Sequence, residues 1–389
     1  GLFTTPVNLV HTIPGLGVID RIYSPIGRRL SHQTVRIETA SISRFSFPSE
    51  RKAKAEIKRL GRELHACVQS SGLSYLFPND LAGVLNRHAM LTFFSRAWGR
   101  HLLNRHKRLS YLALAAWYFP GPMGLTAAFS ERGLPSVDIQ HGQQGPHQSM
   151  YVDWWIRWKP EESVILAEFW DWGPQTQDRI SPENSLFAPT SRIVGYPFLT
   201  DLAVWTSSNA SREKSASVSS GGRRVVVALQ GKHIDLGGVI PEELKRFIHT
   251  YKATYILREH PNAPLSEQER QHMQREFPSA VEFDDGRLPL PIALAGADAL
   301  ISGFSSAVLE AAYLRIPSLV WAPVASDQYS DLIASGVVTA DPSQTVSLEE
   351  IIHRGQQADW SVLEQYISSS AEDLANGLEF LESAVSNSA

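Results

Sequence analysis

One cysteine, Cys67, stands in 389 residues. No disulfide can form within the chain, and a reducing, cytoplasmic setting is the expectation. No uncharged apolar run reaches the roughly eighteen residues that a membrane-spanning helix needs. The opening stretch, GLFTTPVNLVHTIPG, has neither the basic start nor the long apolar centre of a secretion signal. Cys/His spacing suited to a metal is missing, as are a P-loop and a G-x-G-x-x-G turn, so neither a metal nor a tightly held cofactor is expected. Nucleic acid is not an expected partner either, because no basic-aromatic module occurs and the second half is acidic. No internal repeat is present.

What the chain does have is a divided charge. Its net charge of -4 hides 17 Lys/Arg against 6 Asp/Glu in residues 1–110, and 19 against 34 in the rest. Such segregation favours contact of the first part with an anionic surface. The stretch SRAWGRHLLNRHKRL (95–109) alternates Trp98, Leu102, Leu103 and Leu109 with Arg96, Arg100, Arg105, Lys107 and Arg108. This is the pattern of a basic amphipathic helix, which either docks its apolar stripe on its own domain or leans on a membrane surface.

Residues 50–68 place Ala53, Ile57, Leu60, Leu64 and Val68 at helical spacing. From 109 the pattern changes. LSYLALAAWYF reads as a buried strand, PGPMGLTAAFSERG as a turn and helix closed by Gly133, and PSVDIQHG as a second strand. Together they make a βαβ unit and imply a parallel sheet. A Ser-rich stretch, 206–222, reads as a linker or exposed loop. Beyond it strands and helices alternate regularly from RRVVVALQ to PSLVWAP, the signature of a doubly wound domain. The expected organisation is α/β throughout: a first Rossmann-like domain over 1–205, a second over 223–350, and C-terminal helices over 351–389 packing back toward the first domain.

Three clusters carry possible chemistry. SVDIQHGQQGPHQSMY (136–151) ends an apolar strand in Asp138, Gln140, His141 and Gly142, with His147 and Tyr151 following. Asp138 or His141 is a candidate general base, and Gln140, Gly142, His147 and Tyr151 are candidates for contact with a second substrate. REHPNAP (258–264) sets Arg258 and His260 at a strand's carboxyl end, where open α/β sheets bind ligands, with Pro261 ending the strand. SGFSSAVLEAA (302–312) sets Ser302, Ser305 and Ser306 between a strand and a helix start, where phosphates are held. Plain capping needs one serine, and this loop has a pair. Glu310, a turn later, is placed for a ribose hydroxyl. Asp284 and Asp285, in FDDGR, read as a turn.

The order QHG, then HP, then SS followed by LEAA resembles bacterial GT-B glycosyltransferases of capsule and lipopolysaccharide synthesis, over roughly residues 109–325. The nearest pattern is that of the retaining β-Kdo (3-deoxy-manno-octulosonic acid) transferases. The HP and SS elements are shared with bacterial sialyltransferases and, more remotely, CDP-glycerol glycerophosphotransferases. The resemblance implies two Rossmann-like domains facing a central cleft. It also implies a donor of CMP-sugar type on the second domain, its phosphate held by His260, Ser305 and Ser306 with Arg258 adding charge. A glycan or polyprenyl-linked glycan acceptor would lie on the first domain, with the basic N-terminal region against the inner membrane. Departures exist. Sialyltransferases carry an acidic motif before HP, whereas FDDGR follows it here. A retaining enzyme wants a carboxylate at the donor carbon, but the strand VVVALQ ends in Gln230, itself a candidate for contact with the donor, with Asp235 five residues on. UDP- or GDP-sugar transfer, glycerophosphate transfer and non-catalytic glycan binding are the alternatives.

Overall fold

The computed structural model describes residues 2–5, 35–38, 50–71, 80–144, 151, 166–180, 190–200, 222–230, 241–260, 264–284, 286, 289–341 and 345–387. His147, Pro261, Asp235, Asp285 and nearly all of the Ser-rich stretch lie outside the described residues.

The first unit runs β1 (Leu2–Thr5), β2 (Val35–Glu38), α1 (Glu50–Ser70), α2 (Leu81–Arg105), β3 (Leu112–Leu114), α3 (Pro120–Ser130), β4 (Ser136–Ile139), β5 (Glu168–Asp171), α4 (Pro174–Ile180) and β6 (Thr190–Ile193). Its strands form one parallel sheet in the order β2-β1-β3-β4-β5-β6. The expected strand across 109–119 keeps only three residues. Beyond them Ala116 takes a positive φ of 61°, and the chain turns into α3, whose start is set by Pro120.

The second unit runs β7 (Arg224–Ala228), α5 (Glu242–Thr250), β8 (Thr254–Arg258), α6 (Glu267–Glu276), β9 (Val281–Asp284), α7 (Leu290–Leu294), β10 (Ala299–Ser302), α8 (Ala307–Tyr313), β11 (Ser318–Val320), α9 (Pro323–Gln328), α10 (Ser330–Ala334), β12 (Val338–Ala340) and α11 (Leu348–Gln357). Its parallel sheet has the order β12-β11-β10-β7-β8-β9. The order reverses between β7 and β10, and that crevice is where such sheets take ligands. Ser302, Ala228 and Arg258 lie in line there, because β10 pairs Ser302 with Ala228 and β8 pairs Arg258 with Ala228. Fully buried Val225, Val227, Leu257 and Ala299 fill one face of the sheet, and Val226 and Leu300 the other.

The boundary expected at 350 falls inside α11. Leu348, Ile351 and Ile352 belong to the second sheet's core, so this helix stays with the second unit. The chain crosses back later, through a 3-10 turn (Trp360–Val362), α12 (Leu363–Tyr366) and α13 (Ala371–Ser386). Leu381 of α13 packs with Tyr111, Trp170 and Val194 of the first unit. Gly377 lets the helix approach, since a Cβ there would come 2.7 Å from Val194 Cγ1.

The apolar stripe of the basic segment docks on its own domain. Trp98, Leu103 and Leu109 are buried with Leu112, Leu125 and Phe129, and Arg96 and Arg100 both pair with Glu131. No helix among the described residues is long and apolar enough to cross a membrane.

Candidate active-site cleft

At the switch point of the second sheet, one fully buried hydroxyl organises the loop. Ser302 Oγ donates to the Ala228 carbonyl (3.2 Å) and accepts from Gln230 Nε2 (3.1 Å) and from the Ser305 backbone N–H (3.2 Å). Tyr329, fully buried on the far side, donates its hydroxyl to the carbonyls of Ser305 (2.8 Å) and Phe304 (3.1 Å). The turn at 303–306 is therefore held from both sides.

The two serines divide the work. Ser305 Oγ accepts the Ala307 N–H at the start of α8 (3.3 Å). Ser306, the N-cap residue by position, makes no side-chain capping bond. One serine supplies the cap and the other keeps a hydroxyl to spare at the mouth of the crevice.

Arg258 is not the free cation expected from the sequence. Its Nη1 bonds Asp284 Oδ2 at 2.7 Å, with both side chains mostly buried, and its Nη2 reaches the Gly286 carbonyl at 3.4 Å. Asp284 does shape a turn, its Oδ1 accepting the Gly286 N–H at 2.9 Å, but its other oxygen neutralises Arg258. The signal lay in the register: Arg258 and Asp284 end adjacent parallel strands opposite one another. His260 follows β8 and is half-buried. Glu310 also moves from its expected place. It is buried and accepts from Tyr196 Oη (3.1 Å) of the first unit, so its carboxylate ties the units together rather than facing a ribose.

On the first unit, the β4 strand end separates into core and cleft. Asp138 is wholly inaccessible; its Oδ2 accepts from Tyr151 Oη (2.8 Å) and from the Trp117 N–H (3.3 Å). Burial pushes its carboxyl up to about 7, against those two hydrogen bonds. It thereby pins the positive-φ turn at Ala116 and, contrary to expectation, offers no surface to an acceptor. Tyr151 is likewise core, 4% exposed and edge-on to Tyr118 and Phe169. Gln140 spends both ends of its amide, donating to the Gly142 carbonyl (2.9 Å) and accepting the Trp172 N–H (2.7 Å), so it shapes the loop rather than binding an acceptor.

His141 and Gly142 are what remain at the cleft, both half-buried. Burial pushes His141 down to about 4, so its imidazole is neutral near pH 7. A methyl group on Gly142 would lie 3.6 Å from Ser306 Oγ, ordinary contact with room to spare. That short gap also shows that the QHG and SS clusters, more than 150 residues apart, face each other.

Further contacts cross the same gap. Gln143 Nε2 donates to the Gln328 carbonyl (2.8 Å) and Gln175 Nε2 to Asp331 (2.9 Å). Trp172 stacks on Tyr196 at 4.2 Å within a core shared with Ala307, Val308 and Ala311. Gln143, Tyr196 and Tyr329 were not singled out from sequence. Only the second Gln of QHGQQ carried a local hint, since the two tyrosines look like ordinary core residues. Among the described residues no His/Cys/Asp/Glu cluster is arranged to hold a metal.

No protein-family model and no curated protein sequence matches this chain. Solved structures do. S. aureus MnaA with UDP aligns at a TM-score of 0.56 and 10% identity over 99% of this chain and 98% of that one. The UDP-GlcNAc 2-epimerase of Methanocaldococcus jannaschii aligns at 0.55 and 11% identity over 98% and 99%. The glycosyltransferase SnogD from Streptomyces nogalater aligns at 0.52 and 15% identity over 98% and 99%. At these identities the likeness is one of fold. The chain has the two-sheet GT-B architecture along nearly its whole length, with a helical C-terminus.

Proposed function

We propose that this protein is a glycosyltransferase that takes its sugar from a nucleotide-activated donor seated in the second unit's crevice. The observation that carries this reading is the uncommitted Ser306 hydroxyl at the β7/β10 switch point, on a turn fixed by Ser302 and Tyr329 and facing the His141–Gly142 loop. A phosphate seated there would receive the Ser306 hydroxyl, with His260 at the neighbouring strand end. The acceptor would lie on the first unit, where His141 is the base. A base pushed down to about 4 is weak alone, but a donor phosphate beside it favours the protonated form and raises its basicity where the reaction needs it.

The motif order favours a cytidine donor, a CMP-activated acidic sugar such as Kdo, used to build lipopolysaccharide O-antigen or capsule. A uridine donor is favoured by fold likeness, because two of the similar structures were solved with UDP or UDP-GlcNAc. One of those is a 2-epimerase, a reaction that would convert UDP-GlcNAc with no acceptor added.

A thermal-shift panel of CMP, UDP and GDP separates these readings. CMP is expected to raise the melting temperature most, and Ser306→Ala to remove that shift while leaving urea stability unchanged. Ser305→Ala, by contrast, should cost about 1 kcal/mol through its lost cap. A larger shift with UDP transfers the assignment to a uridine donor. No shift with any nucleotide, from a folded protein, overturns the donor site.

A further inference from the structure

A cavity of about 580 Å³ lies well away from the cleft, within the size range of small-ligand sites. Leu109, Pro135 and Ala167 line it, and each stands just before a strand, β3, β4 or β5. The strands are parallel, so the cavity opens at the amino-terminal edge of the first sheet, opposite to the cleft. Its walls come from the end of α2, the turn after α3, where Gly133 has a φ of 67°, and the last turns of α13.

The lining is apolar within and basic at the rim. Leu103, Leu134 and Phe380 supply the apolar part, His106, Lys107 and Arg132 the basic part, and no acidic side chain among the described residues lines it. Of the acids nearby, Glu131 pairs with Arg96 and Arg100, Glu379 stands near Arg192, and Glu382, next to Ser383 on α13, is half-buried outside the lining. Arg132 is steadied by Asn104 Oδ1. Arg105, Lys107 and Arg108 are exposed and form no ion pair among the described residues. A soluble anion would use the cations and leave the apolar floor wet, while an uncharged apolar ligand would do the reverse. An acidic lipid uses both.

We infer that this cavity is a peripheral membrane-docking site that takes an acidic phospholipid from a bilayer surface. The acyl chain would lie against Leu103, Leu134 and Phe380, with the headgroup at Lys107, Arg132 and the neighbouring arginines. The inference is independent of the glycosyltransferase reading.

Co-sedimentation of the full chain with phosphatidylcholine vesicles, with and without phosphatidylglycerol, tests it. Binding is expected only with phosphatidylglycerol. Lys107→Glu with Arg108→Glu should weaken it at least about tenfold. Lys58→Glu with Arg62→Glu, an equal charge change on exposed positions of α1, should leave it within about twofold. Ser383→Trp fills the mouth of the cavity without changing charge, and should also weaken binding. Equal loss from both charge pairs, or indifference to Ser383→Trp, would reduce the effect to diffuse surface charge and overturn the site. So would equal binding to neutral vesicles, or full competition by glycerol phosphate, which would point to a soluble anion. Unaltered melting curves for each variant keep a docking failure distinct from misfolding.

Discussion

Asp138 and His141 stand three residues apart on opposite faces of one strand end, and burial drives them in opposite senses, Asp138 up to about 7 and His141 down to about 4. Both shifts make the neutral form the favoured one, as expected where charge is costly to desolvate. A carboxyl raised above its ordinary 3.8 binds its proton more tightly when folded. The stability it supports is fullest below that value and is lost as pH rises through about 7. His141, lowered from 6.5, supports stability that is present above that value and is lost as pH falls through about 4. Between those limits the two slopes oppose, so the wild type hides both. Asp138→Asn separates them, because the amide oxygen still accepts from Tyr151 and Trp117 while the titration disappears. Between about pH 5 and pH 8 the wild type should lose roughly 2–3 kcal/mol relative to the variant, read from paired urea melts. A pH-independent difference would mean that Asp138 titrates normally and is not sealed in the core.

Elements were the most legible level of the chain, and the reasons are physical. In the second unit, apolar runs such as VVVA and ALIS alternate with capped helices. Ser347 accepts the Glu350 N–H, and Ser266 and Glu269 form a reciprocal capping box, so strand and helix each carry a local signal. Strands β1 and β2 did not stand out, because four-residue pieces amid polar chain have too little periodicity to register. At the site, the serine pair and the QHG loop were visible as motifs. The neutralisation of Arg258 and the burial of Asp138 and Tyr151 were not, since each depends on a neighbour brought in by tertiary packing. The close crossing of α2 and α3, not anticipated from the sequence, depends on two glycines at the contact. A Cβ on Gly124 would overlap the Thr92 carbonyl oxygen and come 2.6 Å from Ser95 Cβ, while one on Gly99 would sit 2.7 Å from Ala128 Cβ. Backbone cannot yield as a side-chain tip can. Gly124→Ala should therefore cost about 1–3 kcal/mol despite its better helix propensity. An unchanged urea midpoint would show that the two helices have slack between them.

At the scale of the whole molecule, the question is what holds the two sheets face to face while leaving a cleft between them. The joint is mostly apolar, with Trp172, Tyr196 and Leu199 packed among Ala307, Val308, Leu363 and Tyr366, and α13 returns the chain to the first unit. Within it the Tyr196 hydroxyl donates to the buried Glu310 carboxylate. Tyr196→Phe keeps the ring stacked on Trp172 and removes only the phenolic donor. In a closed molecule Glu310 then loses a hydrogen bond that a charged partner makes worth about 1.5–3 kcal/mol. If the units part, water replaces it at little cost. The penalty falls on the closed form alone, so the closed-to-open ratio should drop about tenfold or more. Small-angle scattering should show a larger radius of gyration for the variant, and, on the proposed donor site, a narrowing of that difference when CMP or UDP is added. The unfolding enthalpy of each separate unit should stay unchanged. An identical scattering curve for variant and wild type would assign closure to the apolar joint and leave Tyr196 a packing residue only.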